Sequence, residues 1–403
     1  MDSSYAASPQ REFLTQPEML ELYRAKSSIK IGIPLESGLQ ENRVALVPVS
    51  VSNLVARGHQ VYVESQSGAK AHYSDIDYSE AGAIITHNRK TVFECDIILK
   101  VAPPTLEELQ WFHPNQVLVS PLNFPIIDSE YIQALRQKRV TAIAMEYLQA
   151  DDGTFPLVRI MSEIAGISVV QTAAELLSHP KQGKGLLLGG ISGVPPAKVI
   201  ILGAGVVAEY ATRAALALGA SVRIFDDNIH KLIRIQNRMG RQLYTSSLNP
   251  ITLTQQLMTA DVAIGAIHSK TGRTPLLVSE EMILQMKPGS VIIDVSIDQG
   301  GCFETSQVTT HDQPIRLVHG VIHYGVPNIA SKVARTASIG ISNIITTILQ
   351  QAGDAGGIEH VIYSHKGLRN GIYTYKGCLT NEYLSQRFGI KYTNLELLLT
   401  ATT

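Results

Sequence analysis

Gly203, Gly205 and Ala208 stand between an apolar run and an alanine-rich stretch, and Asp226 closes the apolar run that follows (residues 198–226, KVIILGAGVVAEYATRAALALGASVRIFD). These residue types in this order suit a phosphate-bearing ligand. The first glycine allows a tight strand-to-helix turn, and the second lets a pyrophosphate approach the backbone. The small Ala208 permits close helix–strand packing, and the helix N-terminus that opens at Val206 and Val207 attracts phosphate charge. An acid about 20 residues beyond the glycines is placed to bind a ribose 2′-hydroxyl. A lone glycine pattern is weak, and its bland reading is a tight turn that only packs. Strand, glycines, helix, strand and acid together are specific for a dinucleotide. NAD is expected rather than NADP, because Asp226 and its neighbour Asp227 would repel a 2′-phosphate.

The elements needed to hold such a site can be read along the chain. Ile29–Pro34, Gln60–Glu64, Ile97–Val101, Gln116–Ser120 and Thr141–Met145 are short apolar runs of the kind buried parallel strands use. Helical stretches, Val49–Arg57, Thr105–Phe112 and Ser129–Gln137 among them, alternate with these strands, which argues for a first α/β unit ending near Pro156. Residues 160–180 predict a long helix into a second unit. The glycine-rich connector Gly183–Pro196, the dinucleotide motif and strands at Ala260–Ala266, Ser290–Val295 and Leu317–Gly320 follow. Ala337–Leu349 predicts a helix returning to the first unit, and the tail from Ala352 reads as loops and a final packed helix. The expected fold is α/β: two Rossmann-like, doubly wound domains flanking a cleft, the first discontinuous. The boundaries are 1–28 for an N-terminal extension with a helix over Pro17–Lys26, 29–157 with 335–403 for a substrate domain, and 158–334 for the dinucleotide domain.

Composition narrows the function classes. With 403 residues, 45% of them hydrophobic and 17% charged, the chain has the make-up of a globular protein large enough for two cores. A net charge of −1 gives no reason to expect nucleic acid or an anionic membrane as partner. No apolar run is expected to reach the roughly 18 residues of a membrane helix. Cys95, Cys302 and Cys378 lie far apart, so reduced thiols in a cytoplasmic protein are expected rather than disulfides or zinc. No metal ligand set is visible, and His311, His319 and His323 read as structural.

From Ile29 to about Thr346, with a looser match beyond, the chain resembles the alanine dehydrogenase / N-terminal transhydrogenase family. Gly32-Ile-Pro34 leading to Glu41-Asn-Arg43-Val-Ala, Met161-Ser-Glu-Ile-Ala-Gly166, the dinucleotide loop and Met286-Lys-Pro-Gly289 carry the likeness. Asp294-Val-Ser-Ile-Asp298-Gln-Gly-Gly-Cys-Phe-Glu304 is similar to the dehydrogenases more than to the transhydrogenases. The resemblance implies NAD in the second domain, a small amino acid or 2-oxo acid held against its nicotinamide, and a homo-oligomer, dimer or hexamer. It implies that Arg43 grips the substrate carboxylate, which a planar guanidinium can hold bidentately. The other reading of Arg43 is a salt bridge with Glu41. Asp298 matches an active-site aspartate. Ser162, Asp226, Lys231, Ser247, Ile267, His268, Asn328 and Ile329 fall where family members touch NAD.

Two positions depart from the family pattern. The lysine that polarises the substrate carbonyl in alanine dehydrogenases appears here as Ala102, in Lys100-Val-Ala-Pro103, and the catalytic histidine appears as Asn123. An alanine side chain has no electrophile to offer, and an asparagine can donate a hydrogen bond but does not shuttle protons at pH 7. Lys100 shares a strand face with position 102 and is therefore the candidate substitute. The implied activity is hydride transfer between NAD and a small amino or 2-oxo acid. A catalytically retired NAD(H)-binding sensor, or a soluble transhydrogenase-like subunit, are the alternatives these two residues leave open.

Overall fold

The computed structural model describes residues 28–38, 40–122, 127–269 and 272–400, so the helix expected over Pro17–Lys26 and the side chain of Asn123 lie outside it. Valine- and isoleucine-rich runs form the strands, because β-branched side chains pack well on a pleated surface. In the first half these are β1 (Lys30–Ile33), β2 (Gln60–Glu64), β3 (Ile84–Thr86), β4 (Ile97–Leu99), β5 (Val117–Ser120) and β6 (Thr141–Ala144). The second set is β7 (Lys198–Leu202), β8 (Ser221–Phe225), β9 (Tyr244–Ser246), β10 (Val262–Gly265), β11 (Val291–Asp294), β12 (Ile315–Val318) and β13 (Val321–Tyr324).

Each set makes its own sheet. The first has the order β3-β2-β1-β4-β5-β6, all parallel; the second runs β9-β8-β7-β10-β11-β13, parallel, with β12 antiparallel at its edge. Both orders reverse beside the first strand of the set, at β1/β4 and at β7/β10. Such a reversal leaves a crevice outside the carboxyl ends of the strands, where open α/β sheets bind ligands. Rows such as Val199, Val222 and Val262 are buried between helices on both faces, as parallel sheets require.

The tail differs from the expectation of loops and one helix. It adds β14 (Ile372–Tyr375) and β15 (Cys378–Leu379), antiparallel, to the β6 edge of the first sheet. Four residues and two residues are too short to show a period, so the pairing is decided by the exposed edge of β6 that they cover.

The long helix Pro156–Ser178 starts on a proline at its first position and links the two halves. By length and composition it could cross a membrane, against the expectation above that no run would reach that size. It is instead a core helix. Ile164, Val169, Val170 and Leu177 are buried. At Gly166 an added Cβ would stand 2.5 Å from the Val207 carbonyl oxygen and 2.8 Å from the Tyr210 Cβ, so only glycine lets it close onto the helix Val206–Ala217.

Candidate functional site

The β7/β10 crevice is open and shaped for a dinucleotide. Gly203 has φ +106°, and a Cβ there would lie 2.4 Å from the Ala266 carbonyl oxygen, so both conformation and space exclude a side chain. At Gly205 nothing lies within 4 Å of such a Cβ, which leaves the room a pyrophosphate needs. Gly205 is the N-cap of the helix Val206–Ala217 and supplies no side chain to its first amides, so the N–H groups around Val206 and Val207 face outward for an anion. Ala208 is fully buried. Glu209, in the same first turn, would oppose a phosphate, but Arg238 Nη1 holds it at 2.6 Å.

Asp226 follows β8 and is fixed before any ligand arrives. Its Oδ2 accepts the Ala204 amide at 2.8 Å and its Oδ1 accepts the Asn228 amide at 2.7 Å. Each carboxylate oxygen keeps acceptor capacity for a ribose hydroxyl. Lys231 Nζ stands 3.8 Å from Asp226 Oδ2. Asp226, Ile229, Leu232, Ser246 and Ser247 line a cavity of about 460 Å³. Ile267 sits over the glycine turn, its amide and carbonyl both bonded to the Ser296 hydroxyl at 3.0 and 2.8 Å, while His268 is exposed on the same loop. The residues present therefore fit NAD. Replacing Gly205 by alanine, whose added Cβ would meet no protein atom within 4 Å, should weaken NADH binding at least tenfold with the fold retained, measured by fluorescence titration and circular dichroism. Unchanged binding would show that the turn does not carry the cofactor.

A second cluster forms where loops from both sheets meet. Arg43 follows β1, Met161 belongs to the long helix, Asp298 lies on the 3₁₀ turn after β11, and Asn328 precedes the turn Ile329–Val333. Glu41 takes the Nε and Nη2 edge of Arg43 at 2.7 Å each, and Nη1 lies 3.4 Å from Met161 Sδ, a weak acceptor. The salt bridge read from the sequence is present, and it occupies one edge of the guanidinium fork while Nη1 faces Met161. Asn328, in the left-handed region at φ 54°, donates its Nδ2 to Glu41 Oε2 at 2.9 Å. Its backbone N–H donates to Asp298. Asp298 is solvent-exposed yet walled by protein; desolvation raises its pKa, opposed by the Asn328 amide and by Arg43. Asp294 anchors the turn carrying Asp298 by accepting the Cys302 amide at 2.9 Å. Ser162 neighbours Met161, half-buried, and Ile329 is buried beside Asn328.

Lys100 is not brought to this cluster. It is fully buried, with Nζ 3.2 Å from Glu36 and 3.5 Å from Glu108. Glu36 also accepts the Val101 amide at 2.5 Å, and Arg89 reaches Glu108 at 2.6 Å. This network lies at the carboxyl ends of β1 and β4, beside the reversal of strand order in the first sheet. Sequence reasoning passed over Glu36, Glu108 and Glu146. Glu146 accepts the Leu122 amide at 2.7 Å, leaves its Oε2 unpartnered, and is raised by burial to about 7. The capping-box spacing Thr105-x-x-Glu108, which the structure forms, is a sequence signal that could have pointed to one of them. Of the histidines, His323 bonds Thr305 at 2.7 Å, His319 pairs with Glu280, and the His311 amide donates to Gln40.

Residues 32–165 match the N-terminal domain, and residues 169–382 the C-terminal domain, of alanine dehydrogenase/PNT. The chain is 39% identical over 369 residues to alanine dehydrogenase 2 of Staphylococcus aureus (strain USA300), covering 91% of this chain and 99% of that one. To the alanine dehydrogenase of Bacillus subtilis (strain 168) it is 40% identical over 367 residues, covering 91% and 96%. Among solved structures it is similar to an L-alanine dehydrogenase, with TM-score 0.84 and 36% identity over 90% of this chain and 99% of that one. It is also similar to a transhydrogenase from Sinorhizobium meliloti, with TM-score 0.75 and 25% identity over 88% and 99%. The two sheets, the order of their strands and these matches agree: the chain belongs to the alanine dehydrogenase/transhydrogenase family.

Proposed function

We propose that this chain is an NAD-dependent oxidoreductase of the alanine dehydrogenase type, acting on a small amino acid or 2-oxo acid. The observation that carries this reading is the meeting of Arg43, Asn328 and Asp298 beside an open dinucleotide crevice. NAD, when bound, supplies the acceptor or donor of a hydride. Gly203–Ala208 would hold its pyrophosphate, Asp226 with Lys231 and Ser247 its adenosine ribose, and Ser162, Ile267, His268, Asn328 and Ile329 its remaining length. The free edge of Arg43 would fix the substrate carboxylate while Glu41 keeps the guanidinium from turning. Asp298, raised toward the working range by its walls, would orient substrate or water at the reacting carbon. Assembly into a homo-oligomer in a reducing, cytoplasmic setting belongs to the same reading, supported by the family and by three free cysteines.

Ala102 and the locked Lys100 favour one rival, a retired NAD(H) sensor. Loss of a positioned acid–base group lowers rates by about 10²–10⁴-fold, and Lys100 does not replace it while it stays paired with Glu36 and Glu108. A titration with NADH beside NADH oxidation with pyruvate and ammonium separates the two. The dehydrogenase reading expects binding at least tenfold tighter for NADH than for NADPH, and turnover that depends on pyruvate. Binding without turnover on any small 2-oxo acid would replace it with the sensor, and absence of binding would overturn both.

A further inference from the structure

The segment that carries Arg43 is irregular, yet Val44, Ala45, Leu46 and Val47 are buried. Buried backbone amides outside a sheet need acceptors of another kind. Here they find side-chain oxygens. The Asn42 amide donates to Ser331 Oγ at 2.9 Å, the Val44 amide to Ser338 Oγ at 2.9 Å, and the Val47 amide to Ser342 Oγ at 3.0 Å. Ser331 donates in turn to the Gln40 carbonyl at 2.7 Å. All three serines are at most 1% exposed. Ser338 and Ser342 are four apart on the helix Ala334–Asp354, so they share one face. Ser331 lies on the turn Ile329–Val333 just before it. The same stretch of chain begins at Asn328, which reaches Glu41 and Asp298. The arginine segment is thus splinted along its length by one neighbouring run.

We propose that Ser338, flanked by Ser331 and Ser342, is a positioning residue for Arg43, acting through the Val44 backbone rather than on the substrate. A hydroxyl suits this task because it is small enough for close approach of helix and segment and still accepts a hydrogen bond. Alanine in its place leaves the Val44 amide buried without a partner, and the segment shifts to find one. Displacements of about 1 Å at a substrate-orienting group lower reactivity by up to about 100-fold.

The inference rests on the assignment of Arg43 to the substrate carboxylate, and its test is built so that the two can fail separately. Ser338→Ala should raise KM for pyruvate about tenfold or more, leave NADH affinity unchanged, and speed amide hydrogen exchange at Val44 and its neighbours. Ser338→Thr, which keeps the hydroxyl, should restore both KM and exchange protection. Ser290→Ala serves as control: this serine is equally buried just before β11 of the second sheet, where its hydroxyl donates to the Lys287 carbonyl at 2.6 Å. It should lower the unfolding midpoint without moving KM. If Ser338→Ala behaves like that control, with exchange at Val44 unchanged, the positioning role is overturned. If exchange rises as expected but neither wild type nor variant uses a 2-oxo acid, the splint stands and the substrate assignment of Arg43 falls.

Discussion

Lys100→Met is expected to destabilise the protein by about 3–5 kcal/mol, the usual consequence of removing one partner from a buried ion pair. Against a total of about 5–15 kcal/mol for a folded domain, that is a large fraction. Nζ is fully buried between Glu36 and Glu108. Arg89 still serves Glu108 after the change, but Glu36 is left ionised in the core with only amide donors. The pH dependence follows from Glu36. Burial already raises its pKa above 4.5, with Lys100 the chief opposing influence. A carboxyl raised on folding binds more protons in the folded state, so stability falls as pH rises from about 4.5 through the folded value. Without Lys100 that value climbs further and the window widens upward. Urea unfolding should therefore show the largest loss at neutral pH and a smaller one near pH 5. The double variant Lys100→Met with Glu36→Gln should recover most of the loss, because the amide oxygen still accepts the Val101 N–H without a charge. A loss independent of pH, or a wild-type midpoint in Lys100→Met, would show that the network is not held as described. A lysine acting on substrate would instead abolish turnover with little effect on stability.

Restoring the two missing groups, Ala102→Lys with Asn123→His, is expected to raise turnover of alanine, or of pyruvate with ammonium, by about 10²–10⁴-fold. The lysine would return an electrophile for the carbonyl oxygen, and the histidine a group that can hold or release a proton near pH 7. Position 102 is half-buried. A Cβ placed on Gly38 would stand 3.1 Å from the Ala102 Cβ, so the loop after β1 closes one side. Glu36 holds the Ala102 amide at 3.3 Å from behind, which keeps the backbone in place when the side chain is lengthened. Each single variant should give a smaller gain than the pair, because polarising the carbonyl and moving a proton serve the same step. The measurement is kcat/KM for each variant beside NADH affinity, which should not change. Unimproved turnover with intact NADH binding would mean that the substrate lies elsewhere than the dehydrogenase geometry requires.

Much of the second sheet was legible because its signals are local. The turn at Gly203, the opening at Gly205 and the acid at Asp226 lie within one strand–helix–strand unit, and each is dictated by backbone sterics or by a helix end a few residues away. The long helix was visible from its apolar run, although its true start, at Pro156, and its burial depended on Gly166 meeting Val207. The capped helix Ser129–Gln137 was found to the residue, whereas the expected helix Thr105–Phe112 is the shorter Leu106–Gln110. The strands β14 and β15 were missed, since residues this short acquire strand geometry only from the open edge they cover.

Sequence by itself determined the two α/β halves, the dinucleotide motif and the residue types at Arg43, Asp298, Ala102 and Asn123. What Lys100 does was decided by tertiary structure alone: its two carboxylate partners arrive from the loop after β1 and from the helix Leu106–Gln110, and a strand period says which face a side chain takes but not what waits there. The same holds for Arg43. Its clasp by Glu41 is local, but the Asn328 amide and the serine row come from nearly 300 residues further along the chain. Contacts of that separation depend on how two sheets and a returning helix pack, and no pattern within either segment encodes them.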